Sequence, residues 1–374
     1  MMSLANLFTL SSLGALFHFP RFIMDRGGSR SDIGLMMGVM ALSAVLCRPW
    51  IAEMVDRIGR KRSYTLACLI LGGMPLTYLL FQGNLADFYV PLFLVRIAHG
   101  IGVALAFTAS FTYISDIVPE GRLNEGLGMF GTTALMGMAI GPAIGEPVII
   151  AFGFSAYFLT AALLAICALV IHLPLPETYI QRNKVGSSSF LSVILRKKIM
   201  VVTGLALLFG VGMAAYGSFV SPYGQERGMT YVSLYYLCYS AAAILTRIVG
   251  GRLADRVGED RILPYGFCMN GIGLLTLVFL NSPWILVLSG LITGSGHGLL
   301  FPCLNALAIR EESINIRGKI NGIFTGGVDA GVFLGSSTLG YVGDWLGFPV
   351  IFMIAGLALI TGLLVFKAAE PAFH

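Results

Sequence analysis

Eight side chains able to carry charge or move a proton stand inside long apolar runs of this 374-residue chain: Arg48, Arg96, Glu146, Arg247, Asp329, His18, His99 and His297. An ionisable group in such surroundings is expensive to keep and marks a path for ions or substrate. Asp329 and Glu146 are the acids well inside these runs, so a carboxyl that exchanges a proton under the control of a nearby cation is sought there, Asp329 first. Glu146 serves either as a second proton site or as an interfacial, solvated carboxylate. Arg96 reads as a group for coupling or substrate binding, against the plainer role of a structural cation bonded to carbonyls. The three histidines titrate near neutrality when unperturbed. With Arg96, Tyr216, Asn270 and Asn305 they are the polar groups expected to line a substrate cavity, although hydrogen bonding between helices explains them equally well. His172 and His374 look peripheral. No HExxH, GxSxG or paired-cysteine metal pattern occurs, and "GSGHG" (294–298) follows no strand, so no enzyme, metal site, nucleotide loop or cofactor is expected.

The elements that must position these groups follow from composition. Hydrophobic residues make up 56% of the chain and charged residues 11%, with a mean hydropathy of +0.84, which places it in lipid. Charge-free windows such as 63–86, 147–176, 199–225 and 345–366 each exceed the ~20 residues a helix needs to cross ~30 Å of hydrocarbon. They are too long and too evenly apolar for barrel strands, so the crossings are helices. Twelve are expected, near 3–24, 33–54, 63–83, 88–116, 126–149, 154–174, 199–221, 231–252, 262–281, 284–308, 320–344 and 348–367. With both termini cytoplasmic, seventeen of the 24 Lys and Arg residues lie inside, three within the membrane, and four (Arg21, Arg26, Arg30, Arg227) in external loops. Trp284 and Trp345 then sit at the outer interface. The first segment lacks a basic leader and a small-residue cleavage site, and reads as a retained helix, though a missing leader also fits its abrupt start. All six cysteines fall within predicted spans, so disulfides are not expected. The net charge of +5 reflects the inner-face bias and no nucleic-acid partner.

The chain also repeats itself. "LCRPWIAEMVDRIGRKR" (46–62) aligns with "LTRIVGGRLADRVGEDR" (245–261) at a shift of 199 residues, and His99-Gly100 aligns with His297-Gly298 at nearly the same shift. Two parallel six-helix halves, 1–174 and 199–374, are therefore joined by a polar linker, 175–198. Such halves are typical of transporters that rock about a central site. The stretch 187–198 is either an amphipathic surface helix or a plain solvated linker. Gly137, Gly141 and Gly145, and again Gly327, Gly331 and Gly335, recur every four residues and are expected to be packing stripes.

At these residues the chain resembles the major facilitator superfamily over essentially its whole length. The family's loop signature G-x-x-x-D-R-x-G-R-R/K appears as "AEMVDRIGRK", with Ala52 for the first glycine. "RIAHGIG" (96–102) is similar to R-x-x-Q-G-x-G, with His99 for glutamine. "GMAIGPAIGE" (137–146) is similar to the G-x-x-x-G-P-x-x-G-G of exporters that exchange substrate for protons, with Glu146 for the last glycine. The resemblance to this drug:proton antiporter branch implies a secondary transporter that exports small organic or amphipathic compounds against protons. The alternative is a proton symporter or facilitator importing a metabolite. A multi-pass protein of the plasma (inner) membrane, monomeric and coupled to protons, is the expectation. Gating falls to Arg48, Asp56, Arg57, Gly59 and Arg60, with Asp255 and Arg256 in the second copy. Asp56 is expected to meet the N-terminus of the eleventh span, and Arg48 to bridge to Asp329.

Overall fold

Backbone N–H and C=O groups have no water to bond in hydrocarbon, so apolar runs of this length must satisfy them internally as helices. The computed structural model describes residues 1–119, 122–179, 190–310 and 312–369, and among them contains helices and no strand. In chain order these are α1 (Met2–Ala15), α2 (Phe19–Asp25), α3 (Arg30–Ile58), α4 (Arg60–Thr77), α5 (Leu85–Ile117), α6 (Leu123–His172), α7 (Phe190–Ile194), α8 (Lys197–Glu226), α9 (Ser233–Val257), α10 (Glu259–Thr276), α11 (Pro283–Ile309), α12 (Ile314–Leu346) and α13 (Phe348–Ala369).

Among the described residues ten stretches are long and apolar enough to cross a membrane, α1 and α2 forming one of them through the 3-10 turn Leu16–His18. The stretch within α6 breaks at Gly153 (φ 78°) into two crossings, and the 33-residue α12 brings the number to twelve. Each repeat also breaks after its charged motif, at Gly59 (φ 100°) and Gly258 (φ 92°). These backbone angles favour glycine, which lets a new helix start at once with Arg60 or Glu259.

Two compact units result. One holds Met1–Ser29, Val39–Gln181 and Tyr231–Leu237; the other holds Arg30–Gly38, Arg182–Thr230 and Cys238–His374. The first turns of α3 and α9 are thus each grouped with the opposite half of the sequence. In the first unit the glycine stripe of α6 lies on α1, where a Cβ on Gly137 would stand 2.6 Å from the Leu10 carbonyl carbon and one on Gly141 would meet the Ser11 oxygen. In the second, Gly327, Gly331 and Gly335 of α12 face Thr203, Leu207 and Val211 of α8 in the same way. With no hydrophobic drive between helices in lipid, such backbone contact supplies the packing energy.

Candidate functional site

The charged turn sits at one end of the first unit. Arg60, Lys61 and Arg62 begin α4, where the free N–H groups and the helix dipole disfavour cations. Glu177 compensates. Its carboxylate accepts from the backbone N–H of Arg60 (2.8 Å), Lys61 (3.2 Å) and Arg62 (3.4 Å), and from those of Thr178 and Tyr179. Partial burial pushes the Glu177 carboxyl up, but the backbone N–H groups of Lys61, Arg60, Tyr179 and Arg62 outweigh it and hold the group below its ordinary 4.5. The Arg60 guanidinium donates to Asp116 at 2.8 Å, lies 3.4 Å from Asp56 and covers the Tyr179 ring. Arg57 pairs with Glu53 and is three-quarters exposed. The N-terminus served in this unit is therefore that of α4, and its acid is Glu177. Asp56 is 61% exposed and pairs with Arg60 across the Gly59 break.

The second copy carries the opposite charge. Glu259 and Asp260 open α10 and pair with Arg310, at the end of α11, at 3.6 and 3.5 Å. Here anions stand at a helix N-terminus and the cation at a C-terminus, as the helix dipole prefers. Arg256 is exposed, and the side chain of Asp255 lies outside the described residues.

The opposite end of the helices holds two carboxylates that sequence reading left unpartnered. Glu146 is completely buried and is not a solvated interfacial group. It pairs with Arg21 at 2.9 Å and accepts from the backbone N–H of Val232 (3.0 Å) and Ser233 (2.7 Å) at the start of α9. Arg21, expected in an external loop, is itself 8% exposed. Beside this pair Phe17 stacks on Tyr236 at 5.0 Å, and His18 meets the Tyr236 ring edge while its Nε2 lies 3.3 Å from the Pro142 carbonyl oxygen. In the second unit Asp344 accepts from the N–H of Arg30 (2.8 Å) and Ser31 (3.1 Å) at the start of α3. The Arg30 guanidinium pairs with Glu226 at 2.7 Å over the Phe348 ring. Gly34 and Gly340 hold the two helices in contact there, where a Cβ on Gly340 would stand 2.6 Å from the Arg30 oxygen. Glu146 and Asp344 stand 198 residues apart, close to the repeat shift. The two clamps are copies of one device, a carboxylate capping a helix that starts in the other half of the sequence.

Deeper groups gather within each unit. Arg96 is fully buried, covers the Phe19 ring at 4.6 Å and donates a long 3.5 Å bond to Tyr78, whose hydroxyl lies 3.0 Å from His99 Nδ1. His297 bonds the Tyr239 hydroxyl, which donates to Tyr216 at 2.6 Å. The two repeated histidines thus take their tyrosines from different helices. Asn270 is fully buried, and its amide donates to the Thr293 carbonyl oxygen at 3.2 Å, which ties α10 to α11. Arg48, Asn305 and Asp329 are half-buried, on α3, α11 and α12. His172 is buried, not peripheral, and bonds Thr65 at 2.8 Å. Glu177 escaped the sequence reading even though it is the one acid in the linker.

Comparison with known proteins agrees with this architecture. The sequence profile of the Major Facilitator Superfamily matches residues 1–310 and 230–373. The chain is 25% identical over 385 residues to the MFS-type transporter SLC18B1 of Mus musculus, covering 97% of this chain and 83% of that one. It is 25% identical over 362 residues to the uncharacterized MFS-type transporter YhhS of Escherichia coli, covering 95% and 88%. The crystal structure of a variant of the nucleoside transporter NupG shares the fold, with a TM-score of 0.83 at 13% identity over 98% of both chains. Twelve crossings, a doubled charged motif and a profile match along the whole chain lead to one conclusion: this is a multi-pass membrane protein belonging to the Major Facilitator Superfamily, a secondary transporter.

Proposed function

We propose that the chain exports small organic, amphipathic compounds in exchange for protons by alternating access, with Asp329 as the coupling carboxyl. The observation that carries this reading is the packing of "GMAIGPAIGE". Its glycines lie backbone to backbone on α1, and its terminal Glu146 reaches across to α9, so the segment by which the chain resembles proton-exchanging exporters is also a joint between sequence halves. Glu146 is then a gating group and not the coupling acid. Its ionised form holds the clamp, so opening there would take up a proton and closing would return it to the same side, with no net transport. Asp329 stands half-buried along α12, where a carboxyl can exchange a proton under the control of a nearby cation. A bridge between Arg48 and Asp329, released by protonation, and an inner latch at Asp56 complete the cycle. The Lys and Arg count supports placing the clamps on the outer face of the membrane.

Flux into proteoliposomes after a pH jump tests the reading, with compounds first selected by thermal shift. An exporter of this kind accumulates substrate when the lumen is acid and the outside alkaline. Accumulation under the reverse gradient supports the symport alternative and overturns the proposal.

A further inference from the structure

We infer that Arg247, Asn305 and Asn321, arranged around the Phe301 ring in the second unit, bind the carboxylate end of an organic anion with a flat apolar body. The inference rests on the transport reading above and names the class of compound carried.

The Arg247 guanidinium lies 5.9 Å from the centre of the Phe301 ring and meets no carboxylate among the described residues. Its buried Nε has no hydrogen-bond partner, and neither do the buried Oδ1 atoms of Asn305 and Asn321. Asn305 lies one turn beyond Phe301 on α11, and Asn321 one turn before Phe324 on α12. Phe301 and Phe324 meet edge to face at 5.3 Å. Because α11 ends at Ile309, α12 begins at Ile314 and the two run in opposite directions, both amides fall on the same side of that ring contact. An unpaired donor on α9 and unpaired acceptors on α11 and α12 are therefore tied, through Phe301 and Phe324, to one aromatic contact. Each such group costs about 1–3 kcal/mol unless something supplies its bond, and buried polar groups rarely go without partners.

This face does not look into lipid. The lipid-exposed side of α9 carries Leu245 (64% exposed), Ile248 (52%) and Val249 (67%). Arg247 shares its side of the helix with Ser240 and Tyr236, two and three turns earlier, both almost fully buried. A guanidinium presents its planar fork of donors to a carboxylate better than to any neutral group. Asparagine amides add N–H donors on rotation. Phe301, with the His297 ring stacked on it at 6.0 Å, provides a flat surface for the remainder of the ligand. A cation of the same shape meets the like charge of Arg247, so the site discriminates by repulsion as well as attraction.

The test uses the purified full chain and three matched probes: naphthoate, naphthamide and naphthylmethylammonium. Naphthoate is expected to raise the melting temperature and to quench intrinsic fluorescence saturably, whereas the ammonium probe does neither. Arg247→Gln should weaken naphthoate binding about tenfold to a hundredfold, the loss of one charge-assisted bidentate contact, and Arg247→Lys should recover part of it. Should Arg247→Gln fail to fold, Asn321→Leu, which keeps the cation, should still weaken naphthoate severalfold. Equal or tighter binding of the ammonium probe, no binding of naphthoate, or unchanged naphthoate affinity in the folded variants overturns the inference. Selective naphthoate binding with no response of flux to pH defeats the exporter reading alone. Proton-driven flux of cations defeats this inference alone.

Discussion

Replacing Glu146 by Gln keeps volume and shape but removes the charge that three donors share. The carboxylate accepts from Arg21 at 2.9 Å, Val232 N–H at 3.0 Å and Ser233 N–H at 2.7 Å, all buried. A glutamine has one oxygen to offer, and its NH2 group then faces one of these donors. Removing one partner of a buried ion pair costs about 3–5 kcal/mol, because the remaining charge stays desolvated. At a factor of ten for each ~1.4 kcal/mol, the clamped state loses roughly a hundredfold to a few thousandfold in population relative to any state in which Arg21 reaches water. Spin labels at Gln82 and Asn281, each in a turn between two helices of its own unit, report this shift as a change in their distance distribution by electron-electron double resonance. The distribution should move towards longer distances in Glu146→Gln and return in part when Arg21→Gln is added, since the second change removes the stranded charge. An unchanged distribution in folded Glu146→Gln protein refutes the clamp.

Asp344 is exposed, so Asp344→Asn should shift the same distribution in the same direction by only a few-fold, in keeping with the ~0.3–1 kcal/mol of a surface anion at a helix N-terminus; a larger effect than that of Glu146→Gln contradicts the ranking. Gly141→Val and Gly331→Val place carbon against the Ser11 and Leu207 carbonyls and should abolish folding, read as loss of monodisperse protein. Gly128→Ala, with nothing within 4 Å, should be silent. Glu177 has a depressed pKa in the fold, so its stabilisation is complete above the ordinary 4.5 and disappears as pH falls through the lower folded value. Glu177→Gln should therefore lower the melting temperature at neutral pH and cease to differ from wild type in strong acid, whereas a constant difference across that range excludes the linkage. Exchanging Arg48 and Asp329 should restore part of the transport that each single reversal removes, and additive loss excludes their bridge.

The twelve spans and both glycine stripes were legible in the sequence, because apolar length and small-residue spacing are local properties that lipid reads directly. The repeat was legible from "DRIG" and "DRVG", whose glycines prove to be the helix breaks at Gly59 and Gly258. Partner choice was not. Glu146 finds its donors 86, 87 and 125 residues away, and nothing near it in sequence distinguishes a buried, bonded carboxylate from a solvated one at a helix end. Arg21 was misread for the same reason: a charge near the end of a predicted span is ordinarily wet, and packing of α2 against α6 keeps this one dry. The motif's acid, Asp56, drew attention from Glu177, which has no motif of its own yet bonds the N-terminus that the motif creates. In the second copy acids stand where the first has bases, and Arg310 at the end of α11 pairs with them, a partner that lies about fifty residues on and outside any motif.

Proton movement driven by substrate tests the central claim most directly. With a compound selected by thermal shift placed in a downhill gradient across proteoliposomes, and a pH-sensitive dye in the lumen, wild-type protein should carry protons in the direction opposite to the compound. Asp329→Asn should let the compound bind and exchange with no proton signal, and Glu146→Gln should slow the movement without uncoupling it. Protons travelling with the compound, no proton signal in the wild type, or full coupling in Asp329→Asn contradicts the account.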